Sequence, residues 1–185
     1  MRFFKAIITR LCSLIHCTWV KMIHPTSFKF CMEEVIANST HFSIQDKGCI
    51  SIGNKCGMRR NCEITVSENG KITLGDHVFL NRGCVIAAHD EIIIGSGTRF
   101  GPGVMVFDHD YDYKNSEPEA RNHHVSAQII IGENVWIGAG TVILRGTTIG
   151  DNSVVGAGCV IKGKFQNDQL IVQKRVSEVY EIERI

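Results

Sequence analysis

Apolar side chains recur every six residues along most of this chain. Ile131, Ile137, Ile143, Ile149, Val155 and Ile161 keep the interval without a slip, and Ile94, Phe100 and Val106 keep it upstream. Neither the period of an amphipathic helix nor the alternation of a half-buried strand gives six. Read from Ile52, the units are IGNKCG and MRRNCE; four extra residues intrude after Ile64, and LGDHVF, LNRGCV and IAAHDE follow. After a two-residue slip come IGSGTR, FGPGVM and VFDHDY. Thirteen residues, 112–124, then interrupt before VSAQII, IGENVW, IGAGTV, ILRGTT, IGDNSV and VGAGCV. A large apolar residue opens nearly every unit, glycine often stands second, and a small residue stands fifth. Such a unit turns one large and one small side chain inward and allows a corner at the glycine. Three units close a coil, and coils stack as parallel strands about 4.8 Å apart. The pattern predicts an all-β chain, a parallel β-helix of hexapeptide repeats over 44–164, with an excursion loop at 112–124.

The ends do not follow this rhythm. Residues 1–23, MRFFKAIITRLCSLIHCTWVKMI, carry apolar residues at helical spacing, interrupted by Lys5, Arg10 and Lys21. They form neither a clean membrane span nor a signal-peptide core. The segment 1–43 is therefore expected to be a helical appendage. It either packs on its own domain or a neighbouring subunit, or lies as a basic helix on a membrane surface. Residues 165–185 are expected to form a short C-terminal tail and helix.

Composition narrows the function. The 185 residues suffice for one domain plus an appendage. Twenty basic against 19 acidic residues leave no net charge to hold nucleic acid, and the sequence offers only short basic pairs such as Arg59-Arg60. Eight cysteines contain no CxxC pair. Cys56, Cys62, Cys84 and Cys159 stand at the small fifth position, so they are read as core fillers. The reducing cytoplasm is the expected compartment, at the inner face of the membrane if the N-terminal helix binds it.

The stretches FLNRGCVIAAHDEIIIG, FGPGVMVFDHDYD, IGENVWIGAGTVIL and IGDNSVVGAGCVIKG carry a resemblance. Together with the hexads they resemble the hexapeptide-repeat acyltransferases, in the galactoside and maltose O-acetyltransferase branch shared with enzymes of polysaccharide biosynthesis. The resemblance implies a left-handed coil, a homotrimer with interfacial active sites, acetyl-CoA as cosubstrate, no required metal and a sugar hydroxyl as acceptor. It implies His109 as general base, Asn81 as the polar contact to acceptor and base, and the Ala139 N–H as oxyanion donor. Trp136, Gly138, Ala139, Ala157 and Gly158 match the coenzyme A groove, with Lys162 and Lys164 near its far end. The tail NDQLIVQKRVSEVYEIERI departs from the Gly-x-Pro-Ala-Lys ending of many relatives, which leaves Lys174 and Arg175 as cations for the phosphates.

Hexad counting adds placements of its own. It sets His89 and His109 one coil apart and sets the unit Ile137–Gly140, hence Ala139, directly above His109. It puts Asn81 on a different face from His109, so the two would meet across a subunit boundary. The excursion, with Glu117, Glu119, Arg121, His123 and His124, would fold over the histidine. Asp108 and Asp110 orient His109, bind the acceptor or face solvent; His89 faces the acceptor or solvent. Two rivals stand beside transfer: a non-catalytic scaffold, and a metal-dependent enzyme like the γ-carbonic anhydrases using His89, His109 and His123 or His124.

Overall fold

The computed structural model describes residues 2–31, 33–114 and 123–174. After one helix, Arg2–Ile23, the described chain is a parallel β-solenoid of three sheets with seven, seven and six strands. The first sheet contains Cys49–Ile52, Lys71–Leu74, Glu91–Ile94 and Ile129–Ile131; the second contains Phe79–Leu80, Arg99–Phe100, Trp136–Ile137 and Val154–Val155. The third contains Glu63–Val66, Val85–Ala88, Met105–Phe107 and Val142–Leu144.

The opening residue of each hexad points inward. Ile64, Ile86, Val106 and Ile143 stack in one column, and Leu80, Phe100, Ile137 and Val155 in another. All are buried. Burying each such side chain favours folding by roughly 1.5–3 kcal/mol before the entropy of ordering is set against it. The small fifth residues are buried as well: Cys56, Cys62, Cys84, Thr98, Thr141, Ser153 and Cys159 expose at most 2% of their surface. Their chemistry has a reason beyond size. Cys56, Cys62 and Cys84 direct their thiols to the carbonyls of Gly75, Asn81 and Gly101, while the Thr98 hydroxyl donates to Gly132 O at 2.8 Å. A thiol or hydroxyl there satisfies a corner carbonyl of the next coil, which alanine would leave unpaired.

The ladders extend beyond the span 44–164. Phe28–Lys29 pairs with Cys49–Ile52, and Val154–Val155 pairs with Leu170–Ile171. The coil therefore begins in the region assigned to the helical segment, because Phe28 and Ile36 are already fully buried core residues. The C-terminal helix expected within 165–185 falls largely outside the described residues, and Lys164–Phe165 and Leu170–Ile171 are strands.

The N-terminal helix covers the first coils. Ser13 is buried; its oxygen accepts from Ile36 N at 2.8 Å, and its hydroxyl donates to Glu34 O. Cys17 is buried beside it, and Lys21 Nζ donates to the carbonyl of Phe28 at 2.7 Å. The opposite face is exposed and apolar: Leu11, Ile15, Trp19 and Met22 form one stripe, 55% to 70% exposed. No helix among the described residues is long and apolar enough to cross a membrane.

Candidate active site

His109 follows Met105–Phe107 at the corner where the third sheet turns into the first. Asp108 before it is fully buried, and its carboxylate accepts from the backbone N–H groups of His89 (2.9 Å) and Asp90 (2.8 Å) in the coil below. The same carboxylate lies 3.0 Å from His109 Nδ1. A carboxylate has only acceptors to offer, so Nδ1 carries the hydrogen and, in the neutral ring, Nε2 keeps its lone pair. Of the three roles open to Asp108, the structure selects orientation of His109. Asp110 instead takes the Arg145 Nε–H at 2.6 Å, which ties the root of the excursion to the coil above.

The excursion is larger than 112–124. His109–Tyr111 and His124–Ser126 form an antiparallel pair, and Ala127 N donates to Asp108 O where the chain rejoins the stack. Tyr111 faces His124, which brings His124 over His89 and His109, with ring centroids 4.3 and 5.3 Å away. His89 and His109 stack at 3.9 Å, as expected for residues one coil apart. The His89 Nδ1 lies 3.4 Å from Glu68 Oε1, within ion-pair range but not aligned as a hydrogen bond. Burial, and then the neighbouring His89 and His109, hold His124 below its ordinary value of 6.5. One ring nitrogen from each of these three histidines lies within 4.8 Å of the others, so the trio is also a candidate metal-binding group.

The placement of Ala139 above His109 does not hold. Val106 pairs with Ile143, 37 residues on, whereas an uninterrupted coil such as Ile137 to Val155 takes 18. The excursion thus adds 19 residues, not 13, and the unit above His109 is the one opened by Ile143. Ala139 belongs to the preceding unit, opened by Ile137, at the corner between the second and third sheets. Asn81 occupies that corner two coils below it: Asn81 N donates to Phe100 O, and Gly101 N donates to Ile137 O. Gly101 has no room for a side chain there, since a Cβ would stand 2.6 Å from Ala139 N.

Each chain therefore carries two separated groups. His89, His109, His124, Asp108 and Arg145 line one corner, and Lys162 follows at the same corner higher in the stack. Asn81, Gly138, Ala139, Ala157 and Gly158 line another, with Trp136, 59% exposed, on the adjoining strand. Lys164, two residues after Lys162, opens the first-sheet strand that leaves the histidine corner. The third-sheet strands and their turns separate the two corners by on the order of 20 Å. Among the described residues of one chain, none joins them.

Sequence reading missed Arg145 and a set of arginines near Asn81. Coil register aligns Arg59 with Asn81 and Arg60 with Arg82, while Phe79 pairs with Arg99. Arg59 and Arg99 lie over the Phe79 ring, 5.7 and 5.9 Å from its centroid. A spacing of 20–22 residues, read off the two early slips, carries this signal.

Comparison with known proteins agrees with this architecture. Residues 128–163 match the family model described as bacterial transferase hexapeptide (six repeats). A putative lipopolysaccharide biosynthesis O-acetyl transferase, WbbJ of Escherichia coli, is 29% identical over 69% of each chain. The hexapeptide-repeat containing acetyltransferase VCA0836 of Vibrio cholerae is 30% identical, covers 66% of this chain and 68% of its own, and superposes with a TM-score of 0.57. The N-acyltransferase AntD of Bacillus cereus shares the fold at 19% identity, with a TM-score of 0.69 over 89% of this chain and 88% of that one. Further curated relatives are matched over 42% to 54% of their own length. With its repeats in register and these likenesses on both sequence and structure, the chain belongs to the hexapeptide-repeat acetyltransferases.

Proposed function

We propose that the protein transfers an acetyl group from acetyl-CoA to a sugar hydroxyl, in making or modifying a surface polysaccharide. The observation that carries this reading is the buried Asp108 carboxylate against His109 Nδ1, which leaves Nε2 free to accept a proton. The acceptor oxygen attacks the thioester carbonyl as its proton passes to Nε2. The tetrahedral oxyanion takes the Ala139 N–H of a neighbouring subunit, and Asn81 of that neighbour positions the acceptor. Collapse expels the coenzyme A sulfur, which recovers the proton from His109. The two separated corners support a homotrimer in which the histidine corner of one chain faces the Asn81–Ala139 corner of the next. The pantetheine arm would run along Gly138, Ala139, Ala157 and Gly158 beside Trp136, with Lys162 from the facing chain and Lys164 and Lys174 as cations beyond. The name of the E. coli relative supports a polysaccharide precursor as acceptor. The exposed stripe Leu11, Ile15, Trp19 and Met22 supports a helix resting on the inner membrane face, where such precursors are assembled.

Free-thiol release from acetyl-CoA against a panel of sugars and glycosides tests the reading. Wild type should turn over at least one sugar, and His109→Ala should lose about 10²–10⁴ of that rate. Equal turnover by both would remove His109 from the chemistry.

The three-histidine group supports a second reading, a metal-dependent enzyme. It differs from the interfacial ligand set of the γ-carbonic anhydrases because all three residues come from one chain. Elemental analysis of the purified protein separates the two: activity that tracks stoichiometric zinc and falls with chelation supports the metal; full activity after chelation supports transfer.

A further inference from the structure

Four arginines gather beside Asn81 on the second sheet and its corner. Arg59 and Arg60 stand one coil below Asn81 and Arg82, and Arg99 stands above Phe79 on the adjoining strand. All four are exposed, and among the described residues none pairs with a carboxylate. They line two adjoining clefts of about 710 and 500 Å³, and Asn81 itself lines the larger. The Phe79 ring between Arg59 and Arg99 offers a flat apolar face.

Unpaired guanidinium groups packed this densely repel one another, so the arrangement favours an anion with several acceptor oxygens. The group spans three coils, about 10 Å. That matches two linked phosphates rather than a nucleic-acid backbone, which needs a longer track. Acetyl-CoA is placed elsewhere by the proposed function, along Ala139 and Ala157 higher in the stack. We infer that Arg59, Arg60, Arg82 and Arg99 bind the diphosphate of the acceptor, so that the enzyme acetylates a diphosphate-linked sugar rather than a free one. This inference rests on Asn81 marking the acceptor side of the site.

The test is calorimetric titration of the full chain with inorganic pyrophosphate, without acetyl-CoA, for wild type, Arg59→Gln/Arg82→Gln and His109→Ala. Thermal melts establish that each variant is folded. Wild type and His109→Ala should bind alike, and the arginine variant should bind at least about tenfold more weakly, the effect of losing charge-assisted contacts. Acetyl-CoA binding should be the same in all three. In steady state the arginine variant should raise KM for a nucleoside-diphosphate sugar while KM for acetyl-CoA stays fixed. A diphosphate-linked sugar in phosphatidylcholine vesicles forms a second arm. Higher kcat/KM there assigns the lipid-linked source, and higher kcat/KM on the soluble nucleotide sugar assigns the other. Undiminished pyrophosphate binding by the arginine variant overturns the inference, as does displacement of pyrophosphate by acetyl-CoA. If acetyl-CoA fails to bind wild type while pyrophosphate binds and depends on the arginines, the transferase reading falls and the anion site stands.

Discussion

At the residue scale the central object is the Asp108–His109 pair. Asp108 is held from below by two backbone amides, so it is fixed before any substrate arrives, and it fixes one tautomer of His109 in turn. Asp108→Asn preserves the shape but offers an N–H to groups that need an acceptor. Its turnover is expected to fall by about 10²-fold or more. Asp108→Ala should also lower stability by roughly 1–3 kcal/mol for each amide left without a partner, readable in urea unfolding. Wild-type activity in Asp108→Asn would contradict the orienting role. His124 gives a pH signature. Its folded form resists protonation, while the unfolded chain takes the proton near 6.5, so the unfolded state binds more protons below that value. Stability is therefore full above pH 6.5 and lost as pH falls through the lowered folded value. The melting temperature should drop between pH 7.5 and 5.5, and His124→Asn should flatten that slope; an unchanged slope would remove His124 as its source.

At the scale of the element, each corner residue serves both packing and hydrogen bonding. Burial pushes the Cys56 thiol up to about 11, whereas its hydrogen bond with Cys84 holds the Cys62 thiol down at about 7, so for the four corner cysteines it is enclosure, at most 2% exposed, that bars a reagent. A thiol reagent at neutral pH should leave these four unmodified in the folded protein and reach them in denaturant; rapid labelling of the native chain would contradict the solenoid packing. The hexads made most of this legible. Ile131 to Ile161 keep one period because each coil there is regular. The four-residue intrusion and the two-residue slip correspond to coils in which Ile64 pairs with Ile86 and Ile86 with Val106. The excursion was harder. Residues 125–127 look like the start of a hexad but belong to the hairpin, because Val125 pairs back onto Asp110. Counting VSAQII as a coil unit moved Ala139 onto the wrong face. Antiparallel pairing inside an insertion leaves no mark on a six-residue period.

At the scale of the whole molecule, the corners explain why the site could be read only in part. His109, Asn81 and Ala139 were each visible in local motifs, but their relation depends on coil register and, in the proposed function, on a neighbouring chain. The arginine group was invisible for the same reason: Arg59, Arg82 and Arg99 are scattered in sequence and adjacent only after stacking. If the site forms between chains, inactive variants should repair one another. The most direct measurement is activity after co-refolding equal amounts of His109→Ala and Asn81→Ala, each nearly inactive alone. In a randomly mixed trimer about a quarter of the sites receive an intact histidine from one chain and an intact asparagine from the next. Recovery of about that fraction of wild-type turnover is the predicted result. No recovery in a mixture shown by mass to contain hybrid trimers would contradict a site shared between subunits.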